Sequence, residues 1–177
     1  MIIRPAEPRD LEAIVDLHNT VIAEGATAHG ASFELESRRD WLEHRAPNRP
    51  LVVAESAGAI VGWGEFSDYR SGRRALARTA ELSYHVHPDH RRKGIATALI
   101  THLTERAPDL GIHVAIAILL ATNSASVAVL ERLGFARWGE LPEVAELDGV
   151  AIDHLYYGRR FGESPAGRGS FLSSAWI

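Results

Sequence analysis

The stretch from residue 79 to residue 107 constrains the fold more than any other part of the chain. Residues 79–86 alternate, with Leu82, Tyr84 and Val86 on one face and Glu81, Ser83 and His85 on the other, the period of a β-strand. Pro88 ends that strand, and the basic turn His90-Arg91-Arg92-Lys93 leads to Gly94. From Gly94 to Ala107 the apolar residues Ile95, Leu99 and Leu103 recur every four positions, which predicts a helix. A helix N-terminus has unpaired backbone N–H groups and about half a positive charge, so it attracts phosphates. Gly94 lets the backbone approach an anion closely and Ala96 keeps the next position small. Arg91, Arg92 and Lys93 add charge-assisted contacts. A basic turn that merely caps a helix is the plainer alternative, but the strand before the turn and the amphipathic helix after it favour a pyrophosphate site. The spacing matches neither the Gly-x-Gly-x-x-Gly of dinucleotide folds nor the Gly-Lys-Ser/Thr of a P-loop.

Other segments supply the remaining elements. Residues 1–5 predict a strand, and Leu11, Ile14, Val15, Leu17, Val21 and Ile22 form the apolar stripe of a helix starting near Asp10. Residues 25–32 read as a loop, and residues 37–44 as a polar helix stopped by Pro47 and Pro50. Strands are expected at 51–55 and 60–66 around the turn Ser56-Ala57-Gly58, followed by a basic loop at 69–77. The run HVAIAILL at 113–120 suggests a strand buried on both faces. A helix over 123–133 ends at Gly134, and two strands, near 135–144 and 151–160, close the order. The expected architecture is α/β with a single mixed sheet, in the order β-α-α-β-β-β-α-β-α-β-β, rather than a doubly wound βαβ series. One domain spans residues 1–161, and the Gly/Ser-rich residues 162–177 are expected to form a mobile tail.

Composition narrows the function classes. The net charge of −4 argues against general nucleic-acid binding. The absence of cysteine removes disulfides, thiolate metal sites and a cysteine nucleophile, and fits a reducing cytoplasm. No apolar run approaches the length of about 20 residues that spans a bilayer, and the charged start lacks a signal-peptide core.

The run VHPDHRRKGIA resembles the acetyl-CoA loop of GNAT N-acetyltransferases, and the resemblance extends over about residues 2–160. FSDYRS (66–71), AELSYHVHPDHRRKG (80–94), ATNSAS (121–126) and LERLGF (130–135) are similar to the phosphinothricin and methionine sulfone acetyltransferase branch. The resemblance implies a GNAT fold, an acetyl-CoA co-substrate with no metal, a small-molecule amine acceptor and a homodimer. It also implies that backbone groups of Tyr84, His85 and Val86 pair with the pantetheine arm, that Arg92 through Thr97 hold the pyrophosphate, and that Asn123 lies beside the thioester end. Lys93, Gly94, Ile95 and Ala96 of that segment, with Arg91 just before it, complete the expected cofactor set.

Acetyl transfer to an amine needs a base for the ammonium, a donor for the thioester oxygen and an exit for the thiolate. Glu81 resembles the branch's catalytic glutamate; on spacing alone it could equally be a solvent-facing strand residue. An ordinary Glu, with a pKa of about 4.3, is a weak base for an ammonium near 9 to 10. It therefore needs burial or a relay through water. By the same resemblance the backbone N–H of Val86 or a neighbour meets the oxyanion. Leu130 stands where many GNAT enzymes carry a tyrosine acid, and it cannot donate a proton. A thiol with a pKa of about 8.5 leaves with little acid assistance. Arg70 or Arg78 is expected to hold an acidic group of an amino-acid acceptor through a bidentate contact. Phe33 is either an apolar wall of the acceptor pocket or a core aromatic.

Two rival readings exist. His85-Val86-His87-Pro88-Asp89-His90 spells H-x-H-x-D-H, a zinc signature of metallo-β-lactamase-type hydrolases. Against it stand the cations that come immediately afterwards and the 87 or so residues left for the distal ligands. The other rival is a module that binds acetyl-CoA without catalysis, which the presence of Glu81 and Asn123 disfavours.

Overall fold

The computed structural model describes residues 1–25, 27 and 32–162; the expected tail beyond Gly162 lies outside the described residues. Strand β1 (Ile2–Pro5) leads to helix α1 (Leu11–Ala23), then α2 (Leu35–Glu43), β2 (Leu51–Ser56) and β3 (Ala59–Asp68). After them come β4 (Thr79–Val86), α3 (Ile95–Arg106), β5 (Val114–Leu120), α4 (Ser124–Arg132), β6 (Ala136–Leu147) and β7 (Val150–Arg160). The order is the one the sequence predicts. Helix α2 begins two residues earlier than expected, and short 3-10 turns cover Pro8–Asp10, Arg74–Leu76 and Pro88–His90. No helix among the described residues is long and apolar enough to cross a membrane.

The start of the chain is tied down by charge. Buried Asp10 accepts from both terminal nitrogens of Arg4 (2.7 and 2.8 Å) and from the Glu7 backbone N–H (2.8 Å). The Arg4 guanidinium holds the Asp10 carboxyl below the usual carboxylate range.

One seven-stranded sheet runs in the order β1-β2-β3-β4-β5-β7-β6. All neighbours are antiparallel except β4 and β5, which run parallel and pair only through Thr79–Val114, Ala80–Ala115 and Glu81–Ile116. Beyond Glu81 the two strands part, while β4 stays paired to β3 up to Val86. A fork therefore opens inside the sheet, bounded by residues 82–86 on one side and the C-terminal half of β5 on the other.

Helices cover the sheet unevenly. On one face α1 seats Ile14, Leu17 and Val21 against Leu51, Val53 and Trp63 of β2 and β3. On the other, Leu99, Ile100 and Leu103 of α3 and Leu130 of α4 share one core with Phe66, Ala80, Ala115, Ala117 and Tyr157. Each of the leucine, isoleucine, valine and phenylalanine side chains contributes about 2 kcal/mol by leaving water. The expectation that β5 is buried on both faces is corrected here: Ala115, Ala117 and Leu119 are buried, but Val114, Ile116 and Ile118 are only half-buried. The reason is coverage: α1 packs over β3 and β4, with Trp41 of α2 against Trp63 of β3, and no described helix is seen to pack on that face of β5, β7 and β6.

Candidate active site

The fork exposes backbone where a sheet normally hides it. His87 donates its N–H to the Val61 carbonyl at 3.0 Å. The β3–β4 register then puts Gly62–Val86 and Gly64–Tyr84 in the pairs that do not bond to each other. The N–H and C=O groups of Tyr84 and Val86 consequently point away from β3, into the gap that β5 has vacated. His85 bonds in the opposite sense, towards β3. The structure thus brings Tyr84 and Val86 to the open edge by their backbones, whereas the His85 ring packs with His18 (4.5 Å between centroids) and Trp63 (4.6 Å).

Below the fork lies the anion cradle. Gly94 is left-handed at φ 78° and is the N-cap of α3, with no side chain capping the helix. The first helical bond is Ala98 N–H to the Gly94 carbonyl, at 2.9 Å. Arg92 also has a positive φ, 60°, a conformation that costs a non-glycine residue roughly 1 kcal/mol. Among the described residues the six consecutive N–H groups of Arg92, Lys93, Gly94, Ile95, Ala96 and Thr97 have no hydrogen-bond acceptor. Such a concave row of donors at a helix start fits a pyrophosphate. Two of the expected cations are partly engaged: Arg91 pairs with Glu24 at the end of α1, and Lys93 donates to the Asp89 carbonyl at 3.0 Å. Arg132 of α4, which sequence reasoning missed, donates to the Thr97 hydroxyl at 3.1 Å and stands at the same turn. Asn123 is the N-cap of α4, its side-chain oxygen accepting from Ser126 N–H at 3.1 Å.

Glu81 sits at the last β4–β5 pair, where the fork begins. Desolvation pushes its carboxyl above the ordinary value, and the nearby charge of Glu65 pushes it further. Glu65 lies on β3 opposite Ser83, so it is the diagonal neighbour of Glu81 on the same face. Glu65 is buried and ion-paired with Arg45 at 2.7 Å. Arg45 also donates to the carbonyls of Arg49 (2.9 Å) and Phe66 (2.8 Å). Arg49, itself buried, donates to Asp68 (2.8 Å) and to the Ala77 carbonyl (2.7 Å), tying both ends of the 69–77 loop. Neither arginine gave a sequence signal, because both stand in a polar, proline-flanked stretch without periodicity.

The acceptor residues fall in two places. Phe33 is held through its backbone by the Asn19 side chain (2.8 and 3.0 Å) and lies under the Arg38 guanidinium, 3.5 Å from the ring centre. With Ile14, Val15, His18 and Trp41 these two line a small cavity on the α1–α2 side. Arg70 instead lines a groove of about 410 Å³ with Tyr69, Ile116, Trp138 and Tyr156. Ile116 is paired with Glu81, so this groove begins beside the candidate base. Arg78 is exposed at the start of β4, and its carbonyl accepts from His113 and Val114. The structure does not gather Phe33, Arg70 and Arg78 into one cluster.

The histidine run does not form a zinc site. His85 packs inward, His87 accepts the Asp89 N–H on Nδ1 at 3.3 Å, and the rings of His87 and His90 are 5.7 Å apart. Among the described residues no three of His, Asp or Glu converge to hold a metal ion. The spacing matched the signature, but the strand ends at Val86 and the 3-10 turn over Pro88–His90 swings the later imidazole away.

Residues 14–135 match the acetyltransferase (GNAT) family. YwnH of Bacillus subtilis, whose name places it with the phosphinothricin acetyltransferases, is 37 % identical over 90 % of this chain and 98 % of its own. An L-methionine sulfoximine/L-methionine sulfone acetyltransferase of Pseudomonas aeruginosa is 33 % identical over 85 % of this chain and 89 % of its own. A phosphinothricin acetyltransferase from Sinorhizobium meliloti, solved with acetyl-CoA, superposes with a TM-score of 0.87 at 26 % identity, covering 97 % of this chain and 95 % of that one.

Proposed function

The chain belongs to the GNAT acetyltransferase family and is an acetyl-CoA-dependent N-acetyltransferase; from that premise we propose that its acceptor is a small amino-acid-like amine of the phosphinothricin or methionine sulfone type and that Glu81 is the general base. The observation that carries this reading is the position of Glu81 at the root of the fork, half-buried, with its carboxyl pushed up by desolvation. A raised pKa brings a carboxylate nearer to the ammonium it must deprotonate, directly or through one water.

Acetyl-CoA supplies an activated acyl group on a thiol leaving group. The amide row from Arg92 to Thr97 would hold its pyrophosphate, with Arg91, Arg132 and Lys93 adding charge around it. The open backbone edge at Tyr84 and Val86 would pair with the pantetheine arm, and the Val86 N–H would face the oxygen that gains charge. Asn123 at the cap of α4 borders the same gap. Phe33, Arg70 and Arg78 are the proposed acceptor contacts, with Arg70 placed to meet an acidic group in the groove beside Ile116.

We also propose a homodimer. Trp138, Leu141, Val144 and Val150 are exposed on β6 and β7, beside the sheet face that no described helix covers. Sedimentation that gives only the monomer mass at micromolar concentration would remove this part. The cysteine-free composition favours the cytoplasm.

The test of the whole reading is a thiol-release screen of L-amino-acid analogues with acetyl-CoA. Turnover of methionine sulfone, methionine sulfoximine or phosphinothricin above other amines is expected. Activity confined to amines without an amino-acid backbone would overturn the acceptor assignment and leave the family untouched.

A further inference from the structure

The acid-base apparatus so far has no group for the departing sulfur. Leu130 is fully buried in the core and has no proton to give. One hydroxyl does lie at the fork. Tyr84 stands in the part of β4 that β5 has left, and its side chain is on the α3–α4 face, packed against the main core. Its hydroxyl is shielded from solvent and has no partner at full hydrogen-bond geometry among the described residues. Ser126, in the first turn of α4 across the gap, interacts with it only weakly. A buried hydroxyl without a full partner is costly, and in a folded protein it calls for a role such as catalysis or the binding of a ligand or water.

We propose that the Tyr84 hydroxyl donates a hydrogen bond to the sulfur of the departing CoA thiolate. This rests on the acetyltransferase reading above. The amine nitrogen forms its bond to the acyl carbon, the carbon–sulfur bond breaks, and sulfur leaves with the electron pair. The ammonium proton goes to Glu81 and then to solvent, while Tyr84 keeps its own. Burial pushes the Tyr84 phenol up to about 12, well above a thiol at about 8.5, so the phenol acts as a donor and not as an acid. The product is then held as thiolate. Ionisable groups on the elements around Tyr84 are placed elsewhere: Glu81 is on the opposite face of β4, Glu131 accepts from Tyr157, and Arg132 donates to Thr97. Replacing Tyr84 by phenylalanine leaves all three in place.

The test is the ionisation of bound CoA, measured by the ultraviolet absorbance of its thiolate in the wild-type protein and in Tyr84→Phe. The wild type should bind CoA with a thiol pKa about one unit lower than the variant does, equivalent to about tenfold weaker binding of the thiolate by the variant. Acetyl-CoA affinity should change by less than about twofold, since the thioester carries no charge on sulfur. The free variant should melt within a few degrees of wild type, because Phe removes a buried hydroxyl whose one contact, to Ser126, is weak. Equal thiol pKa values in the two proteins would overturn the proposal. So would a shift produced by Ser126→Ala and not by Tyr84→Phe, which would make Ser126 the donor. A wild-type protein that binds no CoA at all would overturn the acetyltransferase reading itself.

Discussion

Arg45 and Arg49 on one side, and Arg91, Arg92 and Lys93 on the other, carry similar charge on short stretches of chain, yet the fold treats them in opposite ways. The first pair is buried or nearly so, and its guanidinium groups are spent on Glu65, Asp68 and five backbone carbonyls, those of Asn48, Arg49, Pro50, Phe66 and Ala77. The second group is exposed and surrounds a row of amides with no acceptor of their own. Arg91 and Lys93 also have partners, Glu24 and the Asp89 carbonyl, so what separates the two groups is the open row of amides beside the second. Position sets the difference. Arg45 and Arg49 lie where the 69–77 loop must be anchored, whereas Arg92 and Gly94 take left-handed backbone conformations at the start of a helix that nothing caps.

Substitutions in the two groups should therefore fail differently. Arg45→Met removes the paired cation from Glu65 and the donor from three carbonyls, and should cost about 3 kcal/mol of stability by denaturant unfolding. Unchanged stability would mean that the Arg45–Glu65 pair is not a clamp. Arg49→Ala leaves the Ala77 carbonyl without its donor and should cost roughly 2 kcal/mol, seen as a fall in Tm of about 6 °C. If its loop is also part of the acceptor site, KM for the amine should rise while acetyl-CoA affinity holds. Gly94→Val forces a β-branched residue to φ 78° and should raise the acetyl-CoA Kd at least about tenfold by calorimetry, with a smaller loss of stability. Intact affinity in that variant would remove the helix start from the cofactor site.

Much of this was legible in the chain, and the exceptions share a cause. Strand β4 and helix α3 come directly from alternation and from the four-residue spacing of Ile95, Leu99 and Leu103, because local periodicity reports which face meets a core. The run HVAIAILL reported apolar residues on both faces of β5 but not what lies over them, so the half-open face of Val114, Ile116 and Ile118 came only with the structure. The Arg91–Glu24 pair joins residues 67 apart, and Arg45 reaches Phe66 across 21; no local pattern marks such partners. The H-x-H-x-D-H spacing misleads for a related reason: it specifies residue types, while the end of β4 at Val86 sets where the imidazoles point. Glu81 was readable as a polar strand residue, and its place at the root of the fork was not.

The most direct test is the pH profile of turnover for wild type and Glu81→Gln with methionine sulfone as acceptor. The Glu81 carboxyl is raised in the folded protein, so the wild-type rate should fall as pH drops through an apparent pKa above the ordinary Glu value of about 4.3. Burial disfavours the charged form, so the glutamine variant should be no less stable at neutral pH. Its turnover number should be more than about tenfold lower, with acetyl-CoA affinity nearly unchanged and that acid limb gone. A variant with wild-type turnover and the same acid limb would contradict the central claim that Glu81 is the base.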